Sequence, residues 1–386
     1  MLTHADERTV LSRWSLAAIA CGFLLIGLAV SAYGPLLLFL SHRFAVSLPV
    51  AGEVLSAHFA GALVGVLASM RAAHRAANRH LVVGGLGSLG LGCALVAVAP
   101  TWPVLLVAVF VVGAGFGSLD LCLNQIVAHS AGSRRTAVMN VLNGAFGIGA
   151  VLGPIFVTLL GEDHFFVLYA VAAVLSLVLI VEAVRIPGRL PVATAEPGRR
   201  PNALVAVFVV GFALYVGTEA GVGGWAASHL VSIGHAAGVA AAVTSGFWLA
   251  LGVGRFLVVL LPRRVGEPVI VTSAAALGAL ALLCSTFGPA APAAYVLTGL
   301  ALAPIFPTGV VWLAKLLPRD ARATSWLFPA AMVGGVTIPA GIGLAVARVG
   351  LGGAPVVLFA VATAMLLAFS VARRMGKVVE PPAEIC

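Results

Sequence analysis

Charge is scarce in this sequence. Charged side chains make up only 9% of the 386 residues, against roughly 25% in an ordinary globular protein. The hydrophobic share is 61%, and the mean hydropathy is +1.12. A soluble protein of this composition would expose a largely apolar surface to water, so the composition excludes a soluble globular protein. It predicts an integral membrane protein.

Cysteine and the common catalytic motifs are also scarce. The five cysteines form no Cys-x-x-Cys pair, so the sequence indicates neither a disulfide framework nor a zinc site. A phosphate-binding Walker loop, a Gly-x-Ser-x-Gly elbow and a His-Glu-x-x-His motif are all missing. We therefore expect neither an enzyme nor an ATP-driven pump, and we expect no metal and no other cofactor.

Long apolar runs dominate what is present. A helix needs about 20 apolar residues to cross the roughly 30 Å hydrocarbon layer, and helices satisfy their own backbone hydrogen bonds in lipid. Twelve such runs occur, so the predicted fold is all-α with twelve transmembrane helices. The runs cover residues 14–40, 49–70, 81–99, 103–130, 137–160, 164–186, 203–225, 238–261, 268–287, 291–316, 323–347 and 352–373.

The basic residues alternate with these runs. When successive loops are assigned to alternate sides, 20 of the 22 Lys and Arg residues fall on one side, and only Arg43 and Arg348 on the other. The positive-inside rule then predicts that both termini are cytoplasmic. This assignment counts Arg255 among the cytoplasmic charges. Topology and anionic-lipid contact explain the net charge of +9, so we expect no nucleic-acid partner.

A polar segment divides the runs into two sets of six. Residues 187–202 are rich in proline and charge and are predicted to form a cytoplasmic linker. The predicted domains are an N-terminal six-helix bundle, residues 1–186, and a C-terminal six-helix bundle with a short tail, residues 203–386. Residues 61–71 and 254–264 both run from a glycine into arginine near the end of a span, as an internal duplication predicts.

Two acidic residues lie well inside predicted spans. Asp120 is in the fourth span and Glu219 in the seventh. An acid at mid-depth costs about 2.5–3.5 kcal/mol, and such residues usually face a cavity or relay protons. We predict that both carry proton coupling, although a structural acid with a fixed partner is the alternative. Sodium remains an alternative coupling ion, because a carboxylate beside amide oxygens also suits that ion.

Polar and aromatic residues near these acids suggest a binding site. Asn124 follows Asp120 by four residues and so shares its helix face. Inter-helix hydrogen bonding is the alternative role for the amides, and plain packing is the alternative role for the aromatic residues. The residues predicted to line a substrate site are Asn124, Asn143, Tyr215, Trp225 and Trp248.

Four segments of the sequence carry a family resemblance. They are GAGFGSLDLCLNQIVA in span four, VLNGAFGIGAVLGP in span five, ALYVGTEAGVGGW in span seven and GLALAPIFPTGV in span ten. The chain resembles the major facilitator superfamily and, within it, the fucose permease branch of sugar:proton symporters. Residues that match the motifs are Asp120, Asn124, Asn143, Tyr215, Glu219, Trp225, Pro304 and Pro307.

The resemblance implies two six-helix halves with a substrate site between them near the membrane midplane. It also implies alternating access, with coupling to a proton gradient. One departure from the branch concerns the first span, where the fucose permease pattern places a second essential acid. The first span here contains none, so the resemblance indicates the fold more strongly than the sugar.

These observations predict a secondary active transporter, monomeric and multi-pass, in the cytoplasmic (cell) membrane. We expect proton-coupled symport of a small polar solute such as a sugar. The main alternative is proton-driven efflux of a drug-like or amphipathic compound, because residues 149–154 (GAVLGP) resemble the start of an antiporter motif. A receptor or membrane enzyme on the same fold is a third alternative, which the short tails and linker do not favour.

Overall fold

The computed structural model describes residues 12–130, 135–189, 203–257, 265–317 and 323–379. Within these ranges the side chains of residues 128–130, 135–141, 143, 325 and 377–379 lie outside the description. The helices are α1 (Arg13–Ser31), α2 (Tyr33–Phe44), α3 (Leu48–Ala51), α4 (Glu53–Ala72), α5 (Asn78–Val98), α6 (Trp102–Ser130), α7 (Arg135–His164), α8 (Phe166–Ala183), α9 (Ala203–Ser232), α10 (Ala237–Leu257), α11 (Glu267–Cys284), α12 (Ala291–Leu302), α13 (Ile305–Leu316), α14 (Leu327–Val349) and α15 (Gly353–Val379).

Twelve segments of the described chain are long and apolar enough to span a membrane, as the sequence predicts. They contain 18–30 residues, which corresponds to about 27–45 Å at 1.5 Å per residue. Large apolar side chains also lie on the outside of the bundle. Leu159, Leu177 and Leu344 are more than 60% exposed, which suits a surface that faces lipid instead of water.

Four of the twelve described spans are interrupted, which the sequence did not predict. Near its C-terminal end α7 contains one non-helical residue, Gly161, at φ +70°, and three other spans each divide into two helices. The first span divides into α1 and α2 at Ala32, and the second into α3 and α4 at Gly52. The tenth divides into α12 and α13 at Ala303 and Pro304. Proline has no backbone N–H, so Pro304 cannot continue the ladder of α12.

Glycine allows the helices inside each half to approach closely. A methyl group at Gly61 of α4 would overlap the carbonyl oxygen of Phe110 in α6, and one at Gly65 would overlap that of Ala114. Small residues at membrane interfaces allow such backbone contact. In the first set of helices α4 and α5 pack on α6, α5 packs on α8, and α1 packs on α7. In the second, α9 packs on α14 and α15, and α10 packs on α12.

The two sets of helices contact each other toward one end of the bundle. We call the end where α1 begins and α15 ends the terminal end, and the other the far end. Toward the far end a methyl group at Gly34 of α2 would overlap the carbonyl oxygen of Gly223 in α9. The Ser56 hydroxyl of α4 donates a hydrogen bond of 2.9 Å to the Val336 carbonyl oxygen of α14. Of the predicted linker, residues 190–202 lie outside the described residues.

The close approach at Gly34 generates a test of the far-end contact. We expect Gly34→Ala to weaken it by about 1–3 kcal/mol, because an added methyl group overpacks a backbone contact. Hydrogen–deuterium exchange in residues 48–59, which lie at the same end, should then become faster. Gly84→Ala is the control, since a methyl group at Gly84 would meet nothing within 4 Å. Equal exchange in both variants would contradict the expectation.

Candidate functional site

Asp120 lies near the middle of α6 and is half-buried. The Asn124 side-chain amide donates to the Asp120 carboxylate at 3.1 Å and to the Asp120 carbonyl oxygen at 2.8 Å. The four-residue spacing therefore brings these two residues together, as the sequence predicts. Because the amide reaches both oxygens, Asn124 fixes the orientation of the carboxylate.

Glu219 lies near the middle of α9 and is also half-buried. Tyr215 lies one turn earlier, buried, with its ring centroid 6.1 Å from that of Phe306 in α13. The Tyr215 hydroxyl interacts electrostatically with Glu219. It has no hydrogen bond of ordinary geometry to any described residue. A buried hydroxyl without such a bond is uncommon and is able to take up a ligand atom.

Arg255 is a member of this site that the sequence did not single out as a candidate. It lies in the last turn of α10, inside the predicted span 238–261 and toward the terminal end, and it is half-buried. Arg255 interacts electrostatically with Tyr215 and Glu219 of α9 and with Asp120 of α6. Its Nε atom is buried and makes no hydrogen bond within the described part of the chain. The sequence did carry a signal, because residues 256–262 are all apolar and enclose Arg255 in its span.

Asp120, Glu219 and Arg255 therefore form one group, which we call the acid–arginine cluster. Asp120 belongs to the first set of helices, whereas Glu219 and Arg255 belong to the second. With both acids ionised the cluster carries two negative charges and one positive charge, and one bound proton makes it neutral. Charges that are partly withdrawn from bulk water interact more strongly than in water, so the charge of Asp120 contributes to the attraction between the two sets of helices.

Both predicted tryptophans lie where the two sets of helices contact each other. Trp225 is fully buried, and a methyl group at Gly52 would overlap its ring. Trp248 is 4% exposed, with its ring centroid 6.4 Å from that of Phe146 in α7. Neither indole N–H has a hydrogen-bond partner among the described residues. In this conformation the two rings fill the contact between the helix sets. The side chain of Asn143 lies outside the described residues.

Residues 19–291, well over half of the chain, match the family model of the Major Facilitator Superfamily. The chain belongs to this superfamily. Its family and fold are therefore those of multi-pass membrane transporters that act on small molecules. No curated protein matches the chain by sequence.

Solved transporter structures share the fold at low sequence identity. A nucleoside transporter matches with a TM-score of 0.73 and 15% identity, covering 93% of this chain and 100% of the other. A D-xylose-proton symporter has a TM-score of 0.73 and 15% identity, covering 92% and 96%. The E. coli fucose:proton symporter has a TM-score of 0.66 and 19% identity, covering 95% and 98%. These likenesses establish the fold.

The cluster predicts a compensating pair of substitutions. Arg255→Gln leaves two carboxylates without their counter-charge and should lower the melting temperature. Removing one partner of a fully buried pair costs about 3–5 kcal/mol, and the half-buried cluster should lose less. Adding Asp120→Asn removes one of the unpaired charges, so the double variant should melt above Arg255→Gln alone.

Arg348→Gln is the matched control, because Arg348 is exposed at the far end of α14. We expect it to change stability by less than about 0.5 kcal/mol. The melting temperature of the double variant is compared with those of Arg255→Gln and Asp120→Asn. If its decrease equals the sum of the two single decreases, Asp120 and Arg255 do not interact, and the expectation is contradicted.

Proposed function

We propose that the protein is a proton-coupled symporter of a small polar solute such as a sugar, working by alternating access of its two halves. The acid–arginine cluster is the observation that carries this proposal. In this cluster a carboxylate of one half interacts electrostatically with a guanidinium of the other half and lies near a second carboxylate. A transporter that couples protons to a change between its halves needs a titratable contact of this kind.

The cluster suggests how a proton drives the change. A proton on Asp120 removes one negative charge and with it the attraction between Asp120 and Arg255. Arg255 keeps its attraction to Glu219, which lies in the same half. The cost of separating the halves on the terminal side of the cluster then falls, so the proton shifts the population of the two conformations. The Asn124 amide donates a hydrogen bond to the Asp120 carboxylate. A solute that binds to Asn124 would therefore change the hydrogen bonding of that carboxylate.

The direction of opening follows from where the halves contact each other. Trp225 and the close approach of Gly34 to Gly223 close the far end, and Trp248 packs between the halves near mid-depth. The members of the cluster remain half-buried on the terminal side of that contact. With cytoplasmic termini, as the distribution of basic residues predicts, this arrangement is the inward-facing state in the cell membrane. We propose that a single chain suffices for transport, because both halves of the site come from one chain. We also propose that no cofactor and no nucleic acid takes part.

The experiment is uptake into proteoliposomes after a thermal-shift screen that includes L-fucose, D-xylose and nucleosides. An acidic exterior should drive accumulation of the selected solute by the wild type. Asp120→Asn should abolish gradient-driven accumulation, because it removes the proton-accepting group while keeping the shape of the side chain. Exchange of solute across the membrane without a gradient should persist in that variant.

Glu53→Gln is the matched control, since Glu53 is an exposed acid at the start of α4. It should accumulate solute like the wild type. Unchanged proton-driven uptake by Asp120→Asn would refute the role of Asp120. Accumulation driven by a sodium gradient alone would show that sodium, and not the proton, is the coupling ion. A solute that leaves the vesicles when the proton enters would favour the efflux alternative.

A further inference from the structure

A small polar cavity lies between α11 and α15, away from the acid–arginine cluster. Its volume is about 270 Å³, and its lining residues are Thr272, Ser370, Arg373 and Arg374. Three of these come from α15, and Thr272 comes from α11. Two guanidinium groups beside one cavity form a donor set that suits an oxyanion.

The cavity opens toward lipid. On α15, Leu367 is 61% exposed and Val371 is 45% exposed, so this face of the helix is covered by acyl chains in a membrane. Arg374 follows Leu367 by seven residues and Val371 by three, so it continues the same face. The Arg374 side chain is exposed. A ligand of this cavity therefore reaches it from the bilayer surface and not from the space between the two halves.

The depth of the cavity matches the border between hydrocarbon and headgroups. Arg373 lies 20 residues after Gly353, where α15 begins. At 1.5 Å per residue this separation is about 30 Å, which is the thickness of the hydrocarbon layer. The two guanidinium groups therefore lie at the level of lipid phosphates at the terminal end of the bundle.

The cavity is held in place by a fixed hydrogen-bond pattern. The Thr272 hydroxyl donates to the Pro268 carbonyl oxygen at 2.7 Å, and it accepts a hydrogen bond from the Arg373 guanidinium at 3.3 Å. This bond orients Arg373 across α11 and leaves its other N–H groups for a ligand. The Ser370 hydroxyl donates to the Leu366 carbonyl oxygen, and its oxygen is free to accept.

The positive charge of the cavity has no carboxylate partner in the described part of the chain. No described acidic side chain comes within 4 Å of Arg373 or Arg374. At the same end of α11, Glu267 forms an ion pair with Lys315 of α13. This carboxylate therefore neutralises a lysine outside the cavity and neither of the two arginines. Two adjacent guanidinium groups without a counter-charge at a membrane surface attract anionic lipid.

We propose that this cavity binds the phosphate oxyanion of an anionic phospholipid headgroup. The planar guanidinium groups of Arg373 and Arg374 donate paired hydrogen bonds to the phosphate oxygens, a geometry that arginine provides and lysine does not. A free phosphate ion has the same oxyanion chemistry. The opening toward lipid at headgroup depth assigns the site to the lipid.

The test uses the purified full-length protein in a neutral detergent. Its melting temperature is followed while dioctanoyl phosphatidylglycerol, dioctanoyl phosphatidylcholine or inorganic phosphate is added. Phosphatidylglycerol should raise the melting temperature of the wild type in a saturable way, and the other two should raise it far less. Arg373→Ala/Arg374→Ala should weaken the apparent affinity for phosphatidylglycerol by about tenfold or more, because two charge-assisted hydrogen-bonding groups are lost.

Arg75→Ala/Arg79→Ala is the matched control. It removes the same charge from two exposed arginines at the terminal end, outside the cavity, and should keep the wild-type affinity. An equal loss in both double variants would overturn the site, as would an unchanged response of Arg373→Ala/Arg374→Ala. Equal stabilisation by inorganic phosphate would overturn the assignment to lipid. If the double variant does not fold, Arg374→Gln alone, at an exposed position, should lose part of the affinity, and no loss there would overturn the proposal.

Discussion

The cost of placing charge inside a bilayer constrains every part of this molecule. Because charged side chains are so costly there, they are nearly absent from the lipid-facing surfaces and collect at the ends of the helices. The charges that do remain inside the bundle need both a counter-charge and access to water. Asp120, Glu219 and Arg255 meet both needs, since they interact with one another and remain half-buried. Under the proposed function the same constraint makes the cluster sensitive to one proton on Asp120, because a single proton changes the net charge of the whole cluster.

The glycine contacts determine where this cluster lies relative to the closed end. Gly34 allows α2 to touch α9, and Gly52 allows the Trp225 ring to fill the space between the halves. Larger residues at these positions would separate the halves and expose the tryptophans. The far end is therefore closed by packing and the middle is joined by charge. The proposed alternating access uses this division, because a change of charge acts on the middle of the bundle and leaves the packed far end unchanged.

Much of the fold could be predicted from the sequence, because the length of an apolar run measures membrane thickness directly. The twelve spans and the pairing of Asn124 with Asp120 followed from spacing alone. The breaks at Ala32 and Gly52 were not predicted, although Pro35 and Pro49 each lie three residues from a break and a proline removes one backbone N–H from the helix. The part of Arg255 in the site was missed because an arginine near the cytoplasmic end of a span is already explained by the positive-inside rule. Its true setting depends on α6 and α9, which are distant in sequence.

The tryptophans show a further limit of sequence reasoning. An aromatic residue on a polar helix face predicts either a binding surface or a packing contact, and the choice depends on the neighbouring helix. Trp225 meets Gly52, and Trp248 packs beside Phe146, so in this conformation both rings pack. Their contact with solute stays a prediction.

The proposed coupling depends on Asp120 accepting a proton within the cluster. Infrared difference spectra between neutral and acidic pH test this most directly, because a protonated carboxyl group has its own carbonyl stretching band and no solute is needed. The account predicts a band in the wild type and in Glu53→Gln that is lost in Asp120→Asn and shifted in Arg255→Gln. A band of equal size and position in the wild type and Asp120→Asn would contradict it.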